Sequence, residues 1–101
     1  MTKGYAVFTE KIHDQNRYEG YVEKVVPTIM NAGGRIIVVD DSPEVLEGSW
    51  HGTRTVVLEF DSVEAARSWY HSADYQAIIK ERHASAEANA VLLCGFAPPE
   101  S

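Results

Sequence analysis

The spacing of apolar and polar positions divides the chain into alternating short strands and helices. Residues 4–9 (GYAVFT) are aromatic and β-branched and read as a strand. Tyr5, Val7 and Thr9 share one face; Ala6, Phe8 and Glu10 share the other. Over residues 16–32, Tyr18, Tyr21, Val22, Val25, Ile29 and Ala32 recur at three- and four-residue steps and predict a helix. Asp14 is its candidate N-cap and Gly33-Gly34 its stop. Pro27 lacks an N–H and clashes with the preceding turn, so a kink there or a break near Val26 is expected.

Residues 35–39 (RIIVV) predict a buried strand, closed by the turn residues Asp40-Asp41-Ser42-Pro43. A structured loop, residues 44–52, leads into residues 53–60, the best-defined strand. Two strands joined in this way are expected to pair antiparallel. Asp61-Ser62 caps the next helix, which buries Ala65, Ala66, Trp69 and Tyr70. Ser72-Ala73-Asp74 interrupts it, and Asp74 is expected to cap a continuation over residues 75–86. Tyr75, Ile78, Ile79, Arg82 and Ala86 line one side of that continuation. Residues 90–96 (AVLLCGF) form the last predicted strand, and the tail, residues 98–101, is expected to be disordered. The order β-α-β-β-α-β is that of an α+β, ferredoxin-like fold, a four-stranded antiparallel sheet with two helices on one face. Its strands are apolar on both faces. The second face is therefore expected to be covered, most economically by the sheet of a second copy in a homodimer.

At 101 residues the chain has the length of one domain, taken as residues 1–97. A net charge of −6 with no Lys/Arg stripe argues against nucleic-acid binding. No run of apolar residues is long enough to span a membrane and no N-terminal signal pattern is present, so the expected location is cytoplasmic. Cys94 is the single cysteine and is read as a buried filler. His13, His51, His71 and His83 have no metal-ligand spacing, and no cofactor motif is present, so neither metal nor cofactor is expected.

The segments GGR (33–35), VLEGSW (45–50), VVLEF (56–60), AARSWYHSADYQ (65–76) and LLCGF (92–96) together resemble domain-of-unknown-function family 1330 over almost the whole chain. That resemblance implies the dimeric α/β-barrel superfamily. Its members include cofactor-free monooxygenases, muconolactone isomerases, polyketide cyclases and haem enzymes. It implies no particular activity.

The candidate chemistry gathers around the loop and the strand that follows it. Glu59 lies between Leu58 and Phe60 and shares its strand face with Thr55 and Val57. A carboxylate desolvated there would have a raised pKa, as a general acid or base requires. The structural alternative is a salt bridge to Arg35 or Arg54. Glu47 and Arg54 complete the expected catalytic group, and Gly48 is expected to supply a positive φ in the loop. Tyr5, Tyr21, Arg35, Trp50 and Tyr70 are the expected ligand contacts, with packing as the alternative for each aromatic. These residues point to a cofactor-independent acid/base enzyme of the isomerase, cyclase or lyase type. Its substrate would be a small carbonyl- or carboxylate-bearing molecule. The alternative is a non-catalytic dimeric module that binds a small molecule. A haem or cofactor-dependent monooxygenase is the weaker third reading.

Overall fold

The structure is a computed structural model and describes residues 2–99. Its elements are β1 (Gly4–Ile12), α1 (Gln15–Asn31), β2 (Arg35–Asp40), β3 (Arg54–Phe60), α2 (Val63–Tyr70), α3 (Ala73–Gln76), α4 (Ile79–Ser85) and β4 (Ala86–Cys94). The strands form one antiparallel sheet in the order β2-β3-β1-β4. This is the α+β, ferredoxin-like arrangement that the periodicities predict.

The pleat sorts the two central strands cleanly. Ala6, Phe8 and Glu10 of β1, with Leu58 and Phe60 of β3, are buried beneath the helices. Tyr5, Val7, Thr9, Thr55, Val57 and Glu59 alternate with them and face the uncovered side. Direct cross-strand pairing sets Glu10 opposite Arg54 and Tyr5 opposite Glu59. The core under the helices is aromatic. Trp69 packs against Tyr75 with centroids 4.3 Å apart, against Phe60 at 5.5 Å and edge-on to Phe8 at 6.2 Å. The Trp69 indole N–H donates to Thr28 Oγ1 at 3.0 Å, so its one polar atom is satisfied inside the core.

Several elements depart from expectation. α1 runs through Pro27 without the break expected near Val26; the Thr28 hydroxyl donates to the Val25 carbonyl at 2.7 Å beside the missing donor. Ser72, rather than Asp74, caps the helical continuation, accepting from the Tyr75 N–H at 3.2 Å, and that continuation splits into α3 and α4. β4 begins at Ala86, not at residue 90. Ala86-Glu87-Ala88 is helix-forming by composition, but β1 extends to Ile12 and offers pairing partners for each of these residues. Cys94, expected to be buried, is exposed on this edge strand. The tail expected to be disordered falls partly on residues 100–101, outside the described residues; Pro98 and Pro99 have no regular structure.

The loop between β2 and β3 is fastened beneath the end of β1. The Thr53 N–H donates to the Glu10 carbonyl at 3.0 Å. Gly52 has φ 74°, and a Cβ there would stand 2.4 Å from that same oxygen. Gly48 also has the expected positive φ, 73°. Among the described residues no helix is long and apolar enough to cross a membrane.

Candidate functional site

Glu10 is the last inward-facing residue of β1 before the ladder reaches Ile12, and it lies under the first turns of α1. Only 1% of its surface is exposed. Its Oε1 accepts from the Tyr18 hydroxyl at 2.5 Å. Burial pushes the Glu10 carboxyl above the usual glutamate range; the Tyr18 hydrogen bond and the charges of Arg82 and Arg54 pull it only partly back. The Tyr18 phenol is raised as well, first by burial and then by the neighbouring Glu10 charge.

Two arginines flank this pair. Arg54, opposite Glu10 on β3, lies over the Tyr18 ring with its guanidinium carbon 5.3 Å from the centroid. It is held there by Asp41, through Nε to Oδ1 at 2.6 Å and Nη2 to Oδ2 at 3.2 Å. Arg82, on α4, is 4% exposed; its Nε donates to the Tyr75 hydroxyl at 3.1 Å and its guanidinium lies over Phe8 at 5.3 Å. The Tyr21 and Tyr75 hydroxyls are 2.9 Å apart, so phenols and guanidinium form one buried polar group beside the carboxyl.

Glu10, Tyr18 and Arg54 form the polar end of a cavity of about 150 Å³ between α1 and the sheet. Phe8, Tyr21, Val22, Val56 and Leu58 supply much of the remaining wall. Ile36 and Val39 of the edge strand β2 also line it and are 44% and 54% exposed, so the cavity opens between β2 and α1. An ionisable carboxyl in an apolar cavity, with a phenol and a guanidinium in contact, can exchange a proton with a bound molecule and stabilise an oxygen anion on it.

The residues expected from the sequence are dispersed. Arg54 and Tyr21 line the cavity. Glu59 lies on the opposite sheet face, where its carboxylate accepts from Arg35 Nε at 3.0 Å and from the Tyr5 hydroxyl at 3.1 Å. The Arg35 hydrogen bond, then that of Tyr5, hold Glu59 below the usual range, opposite to the rise that desolvation would have caused. The salt-bridge alternative therefore describes Glu59, with Arg35 as its partner. Glu47 and Trp50 lie in the β2–β3 loop, lining an open concavity with Val45 and Leu46, and the Trp50 indole N–H donates to Thr55 Oγ1 at 2.9 Å. Tyr70 is half-buried on α2, its ring 5.4 Å from that of Tyr75, and faces a different depression that also includes His71 and Leu92.

Glu10, Tyr18, Tyr75 and Arg82 were not among the expected site residues. A signal for two of them exists. Glu10 shares its strand face with Ala6 and Phe8, and Arg82 lies on the apolar side of its helix; a charge inside an apolar stripe marks a group that must be paired or tuned. Among the described residues no cluster of three or more His, Cys, Asp or Glu side chains could hold a metal ion.

Several solved structures share the fold. The RPA0582 protein of unknown function from Rhodopseudomonas palustris superposes with a TM-score of 0.78 at 16% identity, over 96% of this chain and 85% of that one. SnoaB, a cofactor-independent oxygenase from Streptomyces nogalater, gives 0.67 at 10% identity, over 100% and 97%. A dimeric ferredoxin-like protein of unknown function from Thermobifida fusca gives 0.58 at 11% identity, over 91% and 90%. At such identities the likeness is one of fold. No curated protein matches the chain. The family model for the domain of unknown function DUF1330 matches residues 3–96, and the chain belongs to that family.

Proposed function

We propose that the protein is a small acid/base enzyme that moves a proton within a small carbonyl- or carboxylate-bearing molecule bound between α1 and the sheet, with Glu10 as the proton carrier. The observation that carries this reading is the burial of Glu10 in a mostly apolar cavity, with its carboxyl raised. Such a carboxylate, once ionised, is a stronger base than one in water, and a carboxyl raised toward neutral pH can serve in turn as base and as acid. Removal of a proton from the carbon beside a carbonyl leaves an enolate, whose oxygen would lie against Arg54. Return of the proton at another carbon completes an isomerisation; elimination of a leaving group completes a lyase reaction. The pH profile of turnover on a screened substrate tests the reading. Glu10→Gln should lower turnover by about 10²–10⁴-fold with the chain still folded, as read by circular dichroism, while Glu59→Gln should leave turnover intact. Binding without any product would favour the non-catalytic module.

The open sheet face supports a second proposal, that the chain forms a homodimer through it. Val38, Val91 and Leu93 there are 39%, 52% and 50% exposed. The radius of gyration, 14.3 Å, exceeds the ~13 Å of a compact monomer of this length. Sedimentation should give a dimer for the native chain and a monomer for Leu93→Asp; a native monomer would overturn the proposal.

A further inference from the structure

The cavity is small, mostly apolar, and polar at one end only. Its 150 Å³ is well below the roughly 300–1,000 Å³ of sites for drug-sized ligands, and about the volume at which an apolar cavity admits benzene. The register fixes its long direction. Glu10 and Arg54 pair across the strands at one end, and Ile36 and Leu58 pair at the other. Between them Phe8 and Val56 are partners and offer only hydrocarbon. A molecule entering past Ile36 and Val39 leaves water between mostly hydrocarbon walls. The hydroxyl of Tyr21 and the indole N–H of Trp69 in those walls are already paired, so polar atoms away from its leading end gain little there.

The charges at the polar end narrow the leading group further. Arg54 is held by both oxygens of Asp41, and the Nε of Arg82 is held by Tyr75. A ligand carboxylate would meet the Glu10 carboxyl with Arg54 already paired to Asp41, and Arg82 is not part of the cavity wall. An uncharged oxygen avoids that repulsion. When it becomes anionic during proton transfer to Glu10, Arg54 can turn to it, because Asp41 is exposed and regains water at little cost.

We infer that the occupant is a single-ring or equally short molecule, of about six to nine non-hydrogen atoms, with one uncharged carbonyl, enol or phenol oxygen directed at Glu10 and Arg54. This rests on the proposed reading for the direction of the oxygen and on the cavity alone for the size. In the proton step, the C–H or O–H bond of the ligand breaks, its electron pair stays on the ligand as an enolate or phenolate, and the proton moves to a Glu10 carboxylate oxygen. No other reactant is needed.

The test is amide-resolved NMR titration of the full chain with phenol, benzoate and 1-naphthol. Phenol should shift the amides of Phe8, Val22 and Val56 saturably, and 1-naphthol and benzoate should bind roughly tenfold more weakly or not at all. Val56→Phe, which fills the middle of the cavity, should remove phenol binding; Val22→Phe serves if that variant fails to fold. Equal binding of 1-naphthol, tighter binding of benzoate, or phenol binding that survives the filling substitution would overturn the inference. The catalytic reading fails separately. If phenol binds as expected but no single-ring enol or ketone exchanges a proton faster with the native protein than with Glu10→Gln, the ligand class stands and the proton transfer does not. Turnover of a two-ring substrate that depends on Glu10 would give the reverse result.

Discussion

Glu10 and Glu59 are the same residue type on neighbouring strands of one sheet, and their surroundings make them opposites. Glu10 points beneath α1, is almost completely removed from water, and meets a phenol with two arginines nearby; its carboxyl is pushed up. Glu59 points to the uncovered face, is bound by Arg35 and Tyr5, and is pulled down. What separates them is the dielectric of the face and the order in which partners act. On the covered face desolvation is the largest influence and the hydrogen bond only tempers it. On the open face the ion pair acts first and desolvation is minor. The first arrangement raises a carboxyl's affinity for a proton and the second lowers it.

The sharpest way to break this contrast is to exchange each carboxyl for its amide. Glu10→Gln should lower turnover by about 10²–10⁴-fold, and Glu59→Gln should leave it unchanged; steady-state kinetics on any substrate found would decide. Equal losses in both variants would remove the distinction between the faces.

Next in size is the support that keeps Glu10 dry. Trp69→Ala empties the centre of the aromatic core and should cost about 3–5 kcal/mol, read as a lower denaturation midpoint. The exposed, ion-paired Arg35 on the other face offers no comparable loss when changed to Gln.

A smaller effect separates the two glutamates by the sign of their pH dependence. A raised pKa in the folded state means that folding binds protons at Glu10, so its contribution weakens the fold as pH rises from the ordinary glutamate value of 4.5 toward its raised one. The lowered pKa of Glu59 gives a contribution that is complete above 4.5 and is lost as pH falls through its folded value. Urea melts across that range should therefore show Glu10→Gln flattening a downward slope above pH 4.5 and Glu59→Gln flattening an upward slope below it. The same sign of change in both variants would contradict the assignment.

The finest adjustment is Tyr18→Phe. It removes the hydrogen bond that draws the Glu10 carboxyl down, so its titration, followed by carboxyl ¹³C NMR, should move to higher pH. A shift to lower pH would show that Tyr18 does not stabilise the charged form.

Much of the fold was legible in the chain because its signals are local. Alternation over residues 4–9 and 53–60, the stripe from Tyr18 to Ile29, and the stop at Gly33-Gly34 each depend on neighbours within a few residues. Where the reading failed, placement in the sheet had decided: Cys94 and residues 35–39, expected to be buried, lie on the two edge strands and are exposed. Ala86-Glu87-Ala88 became strand because β1 reaches far enough to pair with it. The candidate site was less legible for the same reason. The strand that drew attention, 53–60, does carry Arg54 into the cavity, but its carboxylate faces away from it.

By itself the sequence determined the alternation of elements, the antiparallel β-α-β-β-α-β order and the sets of residues that share each strand face, since backbone geometry and side-chain size act over short stretches. It also determined that Glu10 travels with Ala6 and Phe8, and Glu59 with Thr55 and Val57. Only the tertiary structure decided which of those faces the helices cover, and hence which carboxyl loses its water. It alone brought Tyr18, Arg54 and Arg82, from three separate elements, around Glu10. Desolvation is a property of everything packed about a group, and its cause is not contained in any one segment of chain.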